Sequence, residues 1–322
     1  MNNLLKQLYD TQSQQSVAPL HWIPKGAALY GSDYQAITSP LYVSGQNIIG
    51  RVKNMTESES LAILSKAQKA WNNRSGVRPT MSRLERIRAM ERFIEMMMRE
   101  KDVIIELLML EIGKNKTDAQ TEFDRTITYT KDTIAEYADD TKFGNYKQSA
   151  SGFVSTNEHQ PLGVTLCFSP FNYPLNETFT TMIPALLTGN PIILKPAKHG
   201  VLFWRYLQKH MNACFPDGVA NIITGDGPTI VTPLMQSGHI DVLAFIGGEK
   251  AANAIAANHP RSNRLEKVLG LGAKNASVIT QTADIAKAIM DNLKGALSYN
   301  GQRCTAHKLL FVHEDIYDAF VS

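Results

Sequence analysis

A chain of 322 residues, 43% of them hydrophobic and 20% charged, has the composition of an ordinary globular protein and is long enough to bury a sizeable core. Its formal charge of +3 is too small for this length to argue for nucleic acid or a membrane surface as partner. Three cysteines make a poor disulfide framework, no run reaches the roughly 18 apolar residues of a membrane span, and Met1–Trp22 carries no apolar signal segment, so the expectation is a cytoplasmic protein.

Residues 1–55 mix Gly, Pro and Ser with apolar residues and read as short strands and loops. Thr56-Glu57-Ser58-Glu59 fits a capping box and predicts a helix to Trp71; Ser82-Arg83-Leu84-Glu85 fits another and predicts a helix to about Arg99. Further helices are expected at about Val103–Glu111 and Asp118–Ala138. The polar run 142–160 separates this helical part from the C-terminal half of the chain and reads as a linker or an excursion from the domain body.

From Leu162 short apolar runs alternate with helix-length segments. Strands are expected at Gly163–Phe168, Pro191–Leu194, Ala220–Ile223, Val242–Phe245 and Lys267–Leu269. Helices are expected at about Asn176–Leu187, Gly200–Asn212, Pro228–Gln236 and Glu249–Asn258. Short strands alternating with helices imply βαβ units: an α/β fold with a Rossmann-like parallel sheet and helices on both faces. Another helix is expected at about Ile285–Leu297.

Ligands of open parallel sheets bind at the carboxyl ends of the strands. The residues there are Ser169-Pro170-Phe171-Asn172-Tyr173-Pro174, Lys195-Pro196-Ala197-Lys198-His199, Thr224-Gly225-Asp226-Gly227 and Gly247-Gly248. An amide, two lysines and two glycine turns suit a phosphate-bearing, carbonyl-containing ligand pair; the plainer alternative is that Gly and Pro merely punctuate the turns. Near the C-terminus, Cys304 sits in the polar turn Ser298-Tyr299-Asn300-Gly301-Gln302-Arg303-Cys304-Thr305. A lone cysteine is usually a small buried hydrophobe, but a polar turn beside Arg303 favours an exposed thiol of lowered pKa.

These residues resemble the aldehyde dehydrogenase superfamily in order and spacing, from the region of Trp71 to Ser322. Glu111-Ile112-Gly113-Lys114 resembles a helix-end motif of the family. Phe171-Asn172-Tyr173-Pro174-Leu175 resembles its oxyanion-asparagine segment, Leu194-Lys195-Pro196-Ala197 its cofactor-lysine segment, Phe245-Ile246-Gly247-Gly248 its cofactor turn, and Gly301-Gln302-Arg303-Cys304-Thr305 its nucleophile segment. Ser298–Thr305 and Phe171–Phe179 look most like the non-phosphorylating, NADP-using glyceraldehyde-3-phosphate dehydrogenases. The resemblance implies NAD(P)-dependent oxidation of an aldehyde to the acid, with Cys304 as nucleophile and Asn172 as oxyanion donor. Ser169, Pro170, Phe171, Lys195, Lys198, Gly225, Gly247 and Gly248 would hold the cofactor, and Arg303 is a substrate-binding candidate whose alternative is a structural arginine.

NADP is expected over NAD. NAD-preferring relatives often carry a glutamate where Lys198 stands, and an ammonium has no lone pair to accept from a ribose hydroxyl. Lys198 can instead pair with a 2′-phosphate, and its expected place at a helix start would make an anion welcome there; the alternative is a solvated lysine. The resemblance further implies residues 1–141 and 161–270 as the dinucleotide-binding domain, 142–160 as an oligomerisation hairpin or linker, and 271–322 as part of a catalytic domain. It also implies a homo-oligomer in the intact family form, a small-molecule aldehyde as substrate, and neither metal, nucleic acid nor membrane as partner.

Two departures stand out. The family's water-activating glutamate lies in a segment that here reads Gly270-Leu271-Gly272-Ala273-Lys274, with Glu266 the nearest acid in sequence. The chain also stops 18 residues after Cys304, before the family's usual end. An inactive nucleotide-binding remnant, or a dehydrogenase that passes its acyl group to coenzyme A, are therefore the alternatives to acid formation.

Overall fold

The computed structural model describes residues 33–41, 48–139 and 146–322. The loops and strands expected over 1–55 and the segment 142–160 fall partly outside these. The chain divides into a larger unit, residues 1–246 with 252–269, and a smaller one, residues 247–251 with 270–322.

In the larger unit, β1 (Tyr34–Thr38) and β2 (Ile48–Lys53) form an antiparallel pair with Gln35 opposite Val52. Four helices follow: α1 (Glu57–Trp71), the single turn α2 (Val77–Thr80), α3 (Arg83–Arg99) and α4 (Lys101–Ile112). Both capping boxes read from the sequence are present, Thr56 with Glu59 and Ser82 with Glu85. Helix α4 ends at Gly113, whose φ of 71° is the left-handed conformation that lets a helix stop there. After it α5 (Lys116–Ala138) starts on Asn115, whose side chain accepts the Asp118 N–H. The run left open as linker or excursion contains an antiparallel hairpin, β3 (Tyr146–Ala150) and β4 (Phe153–Asn157).

The sheet follows the expected alternation: β5 (Thr165–Phe168), α6 (Asn176–Leu187), β6 (Ile192–Lys195), α7 (Trp204–Cys214), β7 (Ala220–Ile222), α8 (Gly227–Gln236), β8 (Val242–Gly247), α9 (Glu249–Ala257) and β9 (Glu266–Leu271). The five strands lie in the order β7-β6-β5-β8-β9, and β5–β6, β6–β7 and β5–β8 pair in parallel. β5 is buried throughout, as expected of a strand covered on both faces. The N-terminal helices share this core: Phe93 of α3 lies against Phe179 of α6 at 6.0 Å and against Phe215 at 5.7 Å, and Phe179 meets Trp204 at 6.1 Å.

Most element boundaries fall within a few residues of the expectation, and one difference bears on the cleft. Helix α7 begins at Trp204, not Gly200, so Lys198 lies in the loop before it and not at a helix start. The helix-dipole argument for an anion at Lys198 therefore lapses; its exposed ammonium remains.

The smaller unit holds a parallel pair, β10 (Asn275–Ile279) and β11 (His307–Val312), with α10 (Ile285–Leu297) and the short α11 (Tyr317–Val321). Of its residues Ile279, Asn292 and Ala306 are buried. No helix among the described residues is long and apolar enough to cross a membrane.

Deep in the larger unit, the Lys114 ammonium donates to the Glu122 carboxylate, and both side chains are wholly buried. Burial pushes Glu122 up and Lys114 down, each countered by the charge of the other. Removing one partner of such a pair costs about 3–5 kcal/mol, because the other charge is left buried alone. Lys114→Met is therefore expected to lower stability by that amount in urea unfolding at pH 8. The loss should shrink as the pH is lowered, because burial raises the Glu122 carboxyl and protonation removes its stranded charge.

Candidate active site

The chain runs outward from β5 through β6 to β7, then crosses back to β8 on the other side of β5. That reversal leaves a topological switch point beside β5, where the loops at the strand ends part and open sheets bind ligands. The loop after β5 carries Ser169, Pro170, Phe171 and Asn172. Ser169 is buried: its N–H donates to the Lys195 carbonyl at 3.2 Å and its hydroxyl to the carbonyls of Pro170 and Pro174 at 3.2 Å each. Its hydroxyl is thus engaged within the loop, whereas Phe171 is half exposed. The Asn172 Oδ1 accepts the Tyr173 N–H at 3.1 Å, which directs the amide nitrogen away from that bond.

This loop is held from outside. Helix α6 follows Leu175, which has no capping side chain, and Glu122 of α5 supplies the acceptor, taking the N–H groups of Leu175 at 3.0 Å and Asn176 at 3.1 Å. Lys114, on the same carboxylate, sits 3.4 Å from the centroid of the Tyr173 ring.

The loop after β6 is fixed in the same manner. Glu111, in the last turn of α4, accepts from Val201 N–H at 2.7 Å and Leu202 N–H at 3.0 Å. The two loops also touch: Gly200 has a φ of 85°, and a Cβ there would overlap the Pro174 ring. Glu111 is fully buried, and burial pushes its carboxyl up to about 7 against the pull of the backbone N–H groups.

Lys195, Lys198 and Gly225 line one shallow cleft together with Gln35, Val52, Thr224 and Val201. The Lys195 ammonium reaches the Pro196 carbonyl at 3.0 Å. Burial lowers its pKa, and the nearby Asp226 raises it. The β1–β2 pair is tied to the cleft by Thr224, whose hydroxyl donates to the Lys53 carbonyl at 2.7 Å and whose carbonyl accepts the Met55 N–H at 2.9 Å. Two cations, hydroxyl and backbone groups and an apolar wall suit a polyol bearing phosphate. Sequence reasoning found the lysines and Gly225 and placed Thr224 at a ligand-binding strand end, but it missed Gln35, Val52 and Val201 and gave no role to Glu111 or Glu122.

Gly247 ends β8 and Gly248 follows it, both in the smaller unit; a Cβ on Gly248 would meet open space. Also in that unit, Cys304 is exposed, whereas Cys167 and Cys214 are buried. Burial pushes the Cys167 thiol up to about 12 and raises that of Cys214 as well. Cys304 follows a turn with three successive left-handed residues, Tyr299 (φ 53°), Asn300 (φ 53°) and Gly301 (φ 68°). The turn is closed by Gln302 N–H on the Tyr299 carbonyl at 2.9 Å and Ala306 N–H on the Arg303 carbonyl at 3.2 Å. Arg303 donates to the Ser298 hydroxyl at 2.6 Å and to that of Thr305 at 3.4 Å, so its guanidinium braces the turn. Glu266 opens β9 and Gly270 is the fifth residue of that strand, so the two are separated by about 13 Å of extended chain.

The aldehyde dehydrogenase family model matches residues 33–322. The NADP-dependent glyceraldehyde-3-phosphate dehydrogenase of Pisum sativum is 30% identical over 266 residues, which is 79% of this chain and 51% of that protein. The enzyme of the same name from Streptococcus equinus is 30% identical over 281 residues, covering 85% and 57%. Among solved structures, the NADP-dependent glyceraldehyde-3-phosphate dehydrogenase of Bacillus halodurans, complexed with NADP, superposes with a TM-score of 0.81 at 27% identity over 90% of this chain and 60% of that one. The chain thus spans between half and two thirds of the length of these relatives.

A pH test addresses Glu111 directly. Its folded pKa of about 7 lies above the ordinary 4.5, so the folded chain binds this proton more tightly than the unfolded chain does. Its contribution to stability is therefore fully present below about pH 4.5 and lost as pH rises through 7, a change of roughly 3 kcal/mol. The stability difference between wild type and Glu111→Gln, from urea unfolding between pH 4.5 and 8, should shift against the wild type by that amount. A pH-independent difference would show that the carboxyl is not held up by burial.

Proposed function

We propose that this chain, which belongs to the aldehyde dehydrogenase family, binds NADP along the cleft of Lys195 and Lys198 and oxidises an aldehyde to its acid through a thioester on Cys304. The observation that carries the reading is the contrast among the three thiols. Cys304 alone is exposed, on a braced polar turn, while the other two are buried and resist ionisation.

In this reading the Cys304 thiolate adds to the aldehyde carbon and gives a thiohemiacetal. Its oxyanion takes hydrogen bonds from the Asn172 side chain and the Cys304 N–H, roles carried over from the family resemblance; one such donor contributes about 3–4 kcal/mol in comparable sites. Bound NADP supplies the hydride acceptor, and loss of the hydride leaves the thioester. Lys195 and Lys198 orient the dinucleotide, Lys198 by pairing with the 2′-phosphate. Ser169, Pro170, Phe171, Gly225, Gly247 and Gly248 complete the proposed cofactor set. Residues 271–322 contribute the nucleophile segment of the catalytic domain. The names of the relatives favour a phosphorylated aldehyde such as glyceraldehyde 3-phosphate, with Arg303 as a candidate contact.

Release of the acid is the step for which the chain offers least. Gly270 and Gly272 stand where the family carries its carboxylate, and Glu266 is far along the strand. This favours a second reading, in which the thioester accumulates or passes to a thiol acceptor such as coenzyme A. Mixing the protein with glyceraldehyde 3-phosphate and NADP is expected to give a burst of reduced cofactor at 340 nm, about one equivalent, followed by slow turnover. Acceleration by coenzyme A would select the second reading, and no burst with any aldehyde would remove the first.

Two substitutions complete the test. Cys304→Ser should abolish the burst, and iodoacetamide should label Cys304 before Cys214 or Cys167. Lys198→Glu should weaken NADP binding by about 1–3 kcal/mol, the span of a lost charge-assisted hydrogen bond, and leave NAD binding equal or tighter. Calorimetric titration of both cofactors decides this, and an unchanged NADP affinity would remove Lys198 from the phosphate.

A further inference from the structure

We propose that Asn275 is a positioning residue for the Cys304 thiol, acting through the backbone of the turn that carries it. The inference rests on the reading of Cys304 as nucleophile and extends it to the residue that sets its direction. Asn275 is the first residue of β10 and pairs with His307, but the register slips at the next step, where Ala276 faces Leu309. At this irregularity the Asn275 amide nitrogen meets the segment that leads into β11. It donates to the Cys304 carbonyl at 2.6 Å and to the Ala306 carbonyl at 3.0 Å.

A carboxamide nitrogen has two N–H groups, and here each is matched by one carbonyl. The acceptors belong to the Cys304–Thr305 and Ala306–His307 peptides, so one side chain holds the two peptide planes on either side of the Thr305–Ala306 peptide. Fixing the Cys304 carbonyl fixes the plane of the peptide that follows Cys304 and the Cα–C bond in it, which limits how far the Cα–Cβ bond of that residue can swing. The other braces of the turn act elsewhere: Arg303 ties its side chain to Ser298, and the backbone bonds close the turn at Gln302 and Ala306. Asn275 is the group that grips the carbonyl of the cysteine itself.

The consequence separates two kinds of reactivity. Addition to a bound aldehyde needs the sulfur aligned with the carbonyl carbon, and a misplacement of about 1 Å can cost on the order of 100-fold in rate. Alkylation by a small reagent in free solution has no such requirement. Asn275→Asp keeps the shape but replaces the donors with a carboxylate that repels both carbonyls; Asn275→Ala removes the side chain.

The test compares wild type with both variants in three measurements. These are the burst rate with glyceraldehyde 3-phosphate and NADP, the iodoacetamide rate at Cys304, and hydrogen exchange across residues 298–307. The burst rate is expected to fall roughly 10- to 100-fold, the alkylation rate to stay within about twofold of wild type, and exchange across the turn to quicken. An unchanged burst rate overturns the proposal, as does an equal fall in burst and alkylation, which would mark a general loss of structure. If wild type gives no burst, the nucleophile reading fails by itself. Hydrogen exchange then decides Asn275 separately, because an unchanged exchange pattern in both variants would show that it does not hold the turn.

Discussion

Two buried carboxylates, Glu111 and Glu122, fix the loops at the ends of the first two sheet strands, and the binding face depends on them. Each comes from a helix that precedes the sheet by many residues, and each accepts a pair of backbone N–H groups with no local partner. Glu122 sets the start of α6 and thereby the loop with Asn172; Glu111 sets residues 200–202 and thereby the loop with Lys195 and Lys198. A buried amide left without an acceptor costs about 1–3 kcal/mol, so the loops and the helices that brace them are stable as one body. This is why the helices between Glu57 and Ala138 share the core of the sheet domain.

The electrostatics of the two carboxylates differ. Glu122 is answered by a full charge, the Lys114 ammonium, which also lies over the Tyr173 ring and so couples the pair to the loop it supports. Glu111 is answered by backbone dipoles, and burial outweighs them, so its carboxyl titrates near neutrality. The loop on the lysine side of the cleft is therefore the one whose support changes with pH, while the asparagine loop is held by a charge pair. Gly200 against Pro174 joins the two loops, so a shift in one is felt in the other.

Much of the frame was legible in the sequence because it is locally encoded. The capping boxes at Thr56 and Ser82 and the strand and helix alternation after Leu162 each depend on residues within a few positions of one another. The features that escaped were set by distant partners. Helix α7 starts four residues later than its composition suggests because the amides of Val201 and Leu202 are taken by Glu111, 90 and 91 residues away in sequence. Gln35 and Val52 reach the cleft only because they face each other across a hairpin that docks on Thr224. The signal for Glu111 was a carboxylate in the otherwise apolar run Leu107–Ile112, which composition marks as unusual but cannot partner. The grip of Asn275 on the cysteine turn was hidden in a register slip between two parallel strands.

The proposed chemistry draws on two features, each prepared within its own unit: a cationic cleft in the larger unit and an exposed thiol on a braced turn in the smaller. With glycine where the family's carboxylate stands, the acyl group should remain on the sulfur long enough to be seen. The most direct measurement is intact-protein and peptide mass spectrometry after brief incubation with glyceraldehyde 3-phosphate and NADP, followed by an acid quench. A thioester predicts the mass of a 3-phosphoglyceroyl group on the peptide containing Cys304, formed only when oxidised cofactor is present and lost on treatment with hydroxylamine. Reduced cofactor produced with Cys304 unmodified at every time point, or an acyl group on another residue, would contradict it.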